Sequence, residues 1–237
     1  MASNNQQVET KNLDIFDISH LNNQTVIVQQ CNVVRRKPHG LSAEFVQKLG
    51  AYTDPYSKRS GKTPNTAIVT DRPKVGTISW CHPNSPNLPY VVNFFAQFDS
   101  GKAIESDMYW HFSGTKYPKY DHVFYDNHYL TNKKSDTGYN RLKYFMSCLA
   151  ELTKDLDFMS CTSKCDDDDS QAKISKIIFP FKIGCGPTGG VWQDYKEAIN
   201  DFSEGVSQSV IIAKKPELHT CQSVRIAYNP FQNNRIK

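Results

Sequence analysis

The chain has 237 residues, with 28 Lys and Arg against 24 Asp and Glu for a formal net charge of +4, and that length suffices for one domain with a substantial core. So mild a positive balance falls short of a dedicated nucleic-acid binder, while it suits an anionic ligand. There is no run of eighteen apolar residues to span a membrane, and the polar start MASNNQQVETKN lacks the apolar stretch of a signal peptide.

Seven scattered cysteines without a CxxC lead us to expect a reducing, intracellular, cytoplasmic setting with the nucleus left open. Cys161 and Cys165 precede the acidic run Asp166 to Asp169 with no histidine nearby, so we read a solvated loop and expect no metal site. No cofactor is expected either.

In chain order, residues 1–12 read as a disordered lead. Leu13, Ile15 and Ile18 then mark a short strand-like segment through Phe16-Asp17-Ile18-Ser19. Thr25-Val26-Ile27-Val28 is β-branched and apolar, as a buried parallel strand requires. It runs into Gln29-Gln30-Cys31-Asn32, where polarity rises abruptly, at the end of the strand where open α/β sheets bind ligands. An Asn at that place can equally cap a turn.

The basic loop Arg35-Arg36-Lys37-Pro38-His39-Gly40 leads into Leu41, Phe45 and Leu49, spaced for one helix face. Its cations either attract phosphate or are ordinary exposed charges. Residues 57–73 read as polar surface. Strands are expected at Gly76–Cys81 and Tyr90–Gln97, joined by a proline-rich turn. Residues 99–137, rich in aromatics and holding His111, His122 and His128, read as an insertion. A helix starts near Tyr139 with Asp136 or Thr137 as its cap, and carries the stripe Leu142, Phe145, Leu149, Leu152. Val210–Ala213 is a last strand, and 215–237 reads as a C-terminal extension.

The stretch KIIFPFKIGCGPTGGVWQDYKEAINDF, residues 176–202, is the most informative. An apolar strand gives way to Gly184, Cys185, Gly186, Pro187, Thr188, Gly189 and Gly190. A helix follows, with Trp192, Tyr195, Ile199 and Phe202 on one face. Strand, glycine turn and helix start together form an anion cradle, because successive N–H groups converge beside a positive helix end. No Lys-Ser/Thr follows, so it is not a Walker loop. Gly184, Gly186 and Gly189 formally match GxGxxG, but so late in the chain that little of a dinucleotide domain could follow. Tight packing alone is the competing use of these glycines.

The segments FDIS (16–19), VIVQQCN (26–32), HGLSAEF (39–45), DPYSKR (54–59), VVNFFAQ (91–97) and FPFKIGCGPTGGVW (179–192), in this order, resemble the macro domain, the ADP-ribose-binding module, and in particular its phage- and viral-type members. The resemblance covers roughly residues 13–214. It implies a three-layer α/β/α fold with a central mixed sheet and a cleft for ADP-ribose. In it Asp17 accepts from the adenine amino group with Ile18 assisting, and Asn32 holds the distal ribose. Gly40 and Leu41 form the first ligand loop, and Gly184 through Gly190 the second. It also implies hydrolysis of an ADP-ribosyl linkage or of ADP-ribose 1″-phosphate; the candidate catalytic groups are Asn32, to orient a water or the ribose, and His39, a neighbour of a type that titrates near neutral pH. The alternatives are a non-catalytic reader of ADP-ribosylated protein or nucleic acid and, more remotely, an NAD enzyme using Glu217. Partners would be ADP-ribose or an ADP-ribosylated macromolecule, with nucleic acid entering only as a modified substrate, and no membrane. The chain departs from the family in having Gln-Gln-Cys-Asn for Asn-Ala-Ala-Asn. Lys48 falls near a lysine of one subclass, but Thr188 stands in place of that lysine's aspartate.

Overall fold

The computed structural model describes residues 8–104, 136–162 and 173–216. Eight strands and three helices follow one another as β1 (Glu9–Asn12), β2 (Thr25–Asn32), α1 (Leu41–Leu49), β3 (Gly61–Thr63), β4 (Thr66–Ala67), β5 (Ile78–Cys81), β6 (Tyr90–Gln97), α2 (Gly138–Thr162), β7 (Lys176–Pro180), α3 (Trp192–Glu204) and β8 (Ser209–Lys214). Six strands form one sheet in the order β1-β8-β7-β2-β6-β5, and β3 and β4 form a separate hairpin. All neighbours in the sheet are parallel except β5, which runs antiparallel to β6 at the edge.

The side-chain period of two explains the layers. Val26, Val28, Val92, Phe94, Ile177, Phe179, Val210 and Ile212 face one way and bury α2 and α3 through Phe145, Leu149, Tyr195, Ile199 and Phe202. Ile27, Val91, Ile178 and Ala213 face the other way and bury α1 through Phe45 and Leu49. The chain is therefore a mixed α/β fold, with a mostly parallel sheet between helices on both faces. The central strands are covered on both sides, which is why they read as continuous apolar runs.

Four expectations change. The lead is shorter than its polarity suggests: Glu9–Asn12 pairs with β8 by backbone alone, all four side chains exposed, so no apolar pattern announces it. The segment 13–19 is not a strand. Asp17 caps a short 3₁₀ turn, Ile18–His20, and draws the chain off the sheet. The polar stretch 57–73 holds the β3–β4 hairpin, pinned to the loop after β2 by the antiparallel bridge Arg35–Thr66. The insertion expected over 99–137 begins and ends inside the fold, where Ile104 pairs with Thr137; its middle, 105–135, lies outside the described residues. So do 217–237 and 163–172, the latter with Cys165 and the acidic run. Thr137 is the α2 cap, its Oγ1 accepting from Asn140 N at 3.2 Å; Asp136 has a different task. Among the described residues no helix is long and apolar enough to cross a membrane.

Candidate functional site

β2 and β7 pair only from Thr25–Ile27 against Lys176–Ile178. Beyond that β2 continues to Asn32 while β7 stops at Pro180, so the strands part at their carboxyl ends. From there β2 leads to α1 on one face and β7 to α3 on the other. This is the crevice in which open parallel sheets bind ligands. A cleft of about 300 Å³ fills it. The register of β2 against β6 slips between Gln30 and Asn32, and such bulges re-aim side chains beside functional sites.

The first wall runs from β2 to α1. Asn32 Oδ1 accepts from Arg35 N at 2.8 Å and so caps the turn, while Nδ2 makes one long contact of 3.4 Å with Tyr56 Oη. Below the loop, Arg59 is 5 % exposed. Its Nη1 donates to the carbonyls of Asn32, Val33 and Arg35, and its guanidinium lies 4.5 Å from the Tyr56 ring centre. Burial without an ion-paired carboxylate lowers its pKa. Helix α1 then begins at Gly40, whose φ of 56° is left-handed, with no side-chain cap. The N–H groups of Leu41 and Ser42 have no partner among the described residues, and both residues line the cleft. His39 is exposed at the same rim, its Nδ1 2.9 Å from Lys37 O. With the proton on Nδ1, Nε2 is an acceptor.

The second wall is the glycine loop. Its N–H groups alternate. Those of Ile183, Cys185, Gly189 and Gly190 bond to carbonyls within the loop. Those of Lys182, Gly184, Gly186 and Thr188 have no partner among the described residues, and all four residues line the cleft. Lys182 holds a φ of 57°, uncommon for a residue with a side chain. Two of the glycines serve packing. A Cβ on Gly184 or Gly190 would enter the Tyr195 ring, and at Gly184 it would also sit 2.7 Å from Gln30 Oε1. At Gly186 it would meet nothing within 4 Å.

A buried ion pair ties this loop to the rest. Arg141, 2 % exposed, meets Asp136 through Nε at 2.8 Å and Nη2 at 2.6 Å, and donates to the carbonyls of Gly101, Thr188 and Asp99. The Asp136 carboxylate also accepts from Phe98 N and Asp99 N. The Ser100–Gly101 wall and the glycine loop are thus held to one point. Thr188 Oγ1 bonds to Gly184 O and closes the loop.

The chemistry available is limited. Burial, with Asp194 adding to it, pushes the Cys185 thiol up to about 12, and its Sγ bonds to Ile183 O at 3.2 Å; it is a packed thiol, not a nucleophile. Burial likewise raises Tyr56 well above an ordinary phenol. The described lining holds no carboxylate, and His39 and Lys182 are its remaining ionisable groups. No cluster of metal-ligating groups exists among the described residues.

Of the residues singled out from sequence, Asn32, His39, Gly40, Leu41, Gly184, Gly186, Pro187 and Thr188 come together on the cleft. Cys185, Gly189 and Gly190 shape its loop without lining it. Asp17 and Ile18 lie outside the lining. Asp17 Oδ1 accepts from Ser19 N and Oγ, bonds that lower its pKa, while neighbouring Phe16 packs 5.1 Å from Phe45 of α1. Lys48 is exposed in the last turn of α1, away from the cleft. Sequence reasoning missed Gln30, Ser42, Tyr56, Gln97 and Ser100 as lining residues. Gln30 Nε2 donates to Gln97 Oε1 at 3.0 Å, and its Oε1 is buried without a partner. The available signal was a pair of glutamines, one in the polar end of β2 and one closing β6.

No family model matches the chain, and no curated protein matches it. Among solved structures it is similar to a protein of unknown function from Bacteroides thetaiotaomicron, at 16% identity and a TM-score of 0.49, over 88% of this chain and 98% of that one.

Proposed function

We propose that the chain is a macro-type domain whose cleft binds ADP-ribose or a derivative of it, with the diphosphate over the Lys182–Thr188 loop. The observation that carries this reading is the supply of unanswered donors: four alternate N–H groups on one wall and the uncapped start of α1 on the other. Unpaired N–H groups that converge from a glycine loop and from a helix start form an anion-binding concavity, and a diphosphate answers two such sets at once. Asn32 Nδ2 is then the donor to the distal ribose. A volume of about 300 Å³ is at the small end for ligand pockets, so the adenine reaches outward past α1 towards Asp17.

The reaction that fits is hydrolysis of an ADP-ribosyl linkage or of ADP-ribose 1″-phosphate. His39 Nε2 takes a proton from the attacking water as the bond to the departing group breaks, and then returns that proton to the departing group, while Asn32 orients the ribose. One observation favours a second reading, a non-catalytic reader: the described lining offers no carboxylate to act as a base. Glu217, on which an NAD enzyme would depend, lies outside the described residues.

Calorimetric titration with ADP-ribose, NAD and AMP tests the binding, with Gly186→Asp as the variant. Its side chain enters open space in the cleft and brings a negative charge to the diphosphate, so ADP-ribose affinity should fall by more than about tenfold with unfolding unchanged. Equal affinity in wild type and variant would remove the diphosphate assignment. Incubation of the wild type and His39→Gln with ADP-ribosylated protein and with ADP-ribose 1″-phosphate then separates hydrolase from reader.

A further inference from the structure

Beside the cleft lies a second cavity of about 230 Å³, lined by Arg35, Lys37, His39, Asn65 and Ser100. His39 and Ser100 also line the cleft, so the two cavities share a rim. Among the described residues every lining side chain is polar, none is acidic, and two are basic.

This wall is built rather than loose. Arg35 N is held by Asn32 Oδ1 at 2.8 Å, and its carbonyl by Arg59 Nη1 at 2.7 Å. Its strand bridge to Thr66 brings up the hairpin turn that carries Asn65. Its Nε lies 2.7 Å from Asp99 Oδ1, which aims the guanidinium and leaves both Nη groups without a partner among the described residues. Lys37 has no carboxylate within ion-pair distance among them either.

We propose that this cavity is a second anion subsite, which takes a phosphate of a nucleic-acid strand whose modified end occupies the cleft. The inference rests on the ADP-ribose reading of the cleft and names its substrate class. Arg, Lys, Asn and Ser side chains are the usual partners of backbone phosphates. At ~30 Å³ per water the cavity holds about eight waters, which leaves room for a phosphodiester together with part of its sugar. Among the described residues no apolar side chain lines it to receive a protein residue. A net charge of +4 is too small for tight binding of a bare strand. Two linked anchor points solve that, because the second engagement becomes intramolecular.

The test is fluorescence anisotropy with a labelled ten-nucleotide single-stranded DNA of mixed sequence, from low to physiological salt, on wild type, Lys37→Ala and Asn65→Asp. A phosphopeptide of matched charge serves as the comparison probe, and ADP-ribose calorimetry runs alongside. We expect weak DNA binding that falls with salt by about 0.7 log units per tenfold for each phosphate neutralised. Lys37→Ala should lower DNA affinity about fivefold and reduce the salt slope by about one cation's share, while ADP-ribose affinity stays within about twofold. DNA affinity unaffected by both variants, or equal affinity for the phosphopeptide, would overturn the subsite. Absence of ADP-ribose binding in the wild type would instead overturn the reading of the cleft.

Discussion

The Arg141–Asp136 pair gives the sharpest test of how the cleft is held. Arg141→Met keeps the stem and removes the charge. It leaves the Asp136 carboxyl group buried with only two backbone donors, Phe98 N and Asp99 N, and it removes the donor from Gly101 O and Asp99 O. Thr188 O keeps Ala103 N at 3.0 Å. Breaking one partner of a buried pair costs about 3–5 kcal/mol, and the orphaned carbonyls push towards the upper end. Asp136→Asn retains an acceptor but strands the guanidinium, at a cost of about 3 kcal/mol. The double variant has no buried charge left, so its loss should be about 4–5 kcal/mol, some 2–3 kcal/mol short of the sum. Urea unfolding of the wild type and the three variants, with m held common, measures the cycle. ADP-ribose affinity of folded Arg141→Met should fall by more than about tenfold as the second wall loosens. Additivity within about 0.5 kcal/mol, or single losses below about 1 kcal/mol, would show that the pair does not hold the loop.

Gly184→Ala meets both a left-handed φ of 72° and the Tyr195 ring, so it should destabilise by about 2–4 kcal/mol, read as a lower urea midpoint; a midpoint equal to wild type would contradict the packing role. Burial pushes Cys31 from 9.0 up to about 12, so the fold favours its protonated form. That stability is complete below about pH 9 and drains as pH rises towards 12; near pH 10.5 the loss is about 2 kcal/mol. Cys31→Ala should therefore lose less stability than wild type between about pH 8 and pH 10.5 in paired unfolding curves, and parallel losses would count against it. Asp17→Ala should weaken ADP-ribose several-fold and leave ribose 5-phosphate, which lacks adenine, unchanged; equal losses for both ligands in calorimetry would remove the adenine assignment.

Much of the sheet was legible because its strands are buried on both faces. The runs Val26–Val28, Ile177–Phe179 and Val210–Ala213 are apolar without interruption, and Val91–Phe95 is broken only by the buried Asn93; such runs between turn residues leave few readings. The stripes of α1 and α3 were legible for the same reason, since Phe45, Leu49, Tyr195, Ile199 and Phe202 each fall at helical spacing and each is buried. β1 was not legible, because it joins the sheet through backbone groups that every residue has. Nor was the turn at Asp17: the apolar Leu13, Ile15 and Ile18 read as strand-like, but Ile18 is 60 % exposed and the carboxylate cap decides the conformation.

The glycine loop and the polar end of β2 were readable as ligand elements, whereas what keeps their donors available was not. An N–H group stays free for a ligand only if its loop cannot fold back and satisfy it internally. Each wall of this cleft meets that condition through a buried arginine. Arg59 gathers three carbonyls of the loop after β2, and Arg141 gathers those of Asp99, Gly101 and Thr188. In sequence Arg59 closes a stretch, DPYSKR, that has the composition of surface, and Arg141 sits among polar residues in the first turn of α2. Charged side chains are ordinarily solvated, so neither periodicity nor composition marks these two as interior. Their partners are backbone carbonyls, which carry no side-chain signature. The recognition surface of this fold is thus written in its glycines and strand ends, and its rigidity in two arginines whose role emerges only when distant segments are brought together.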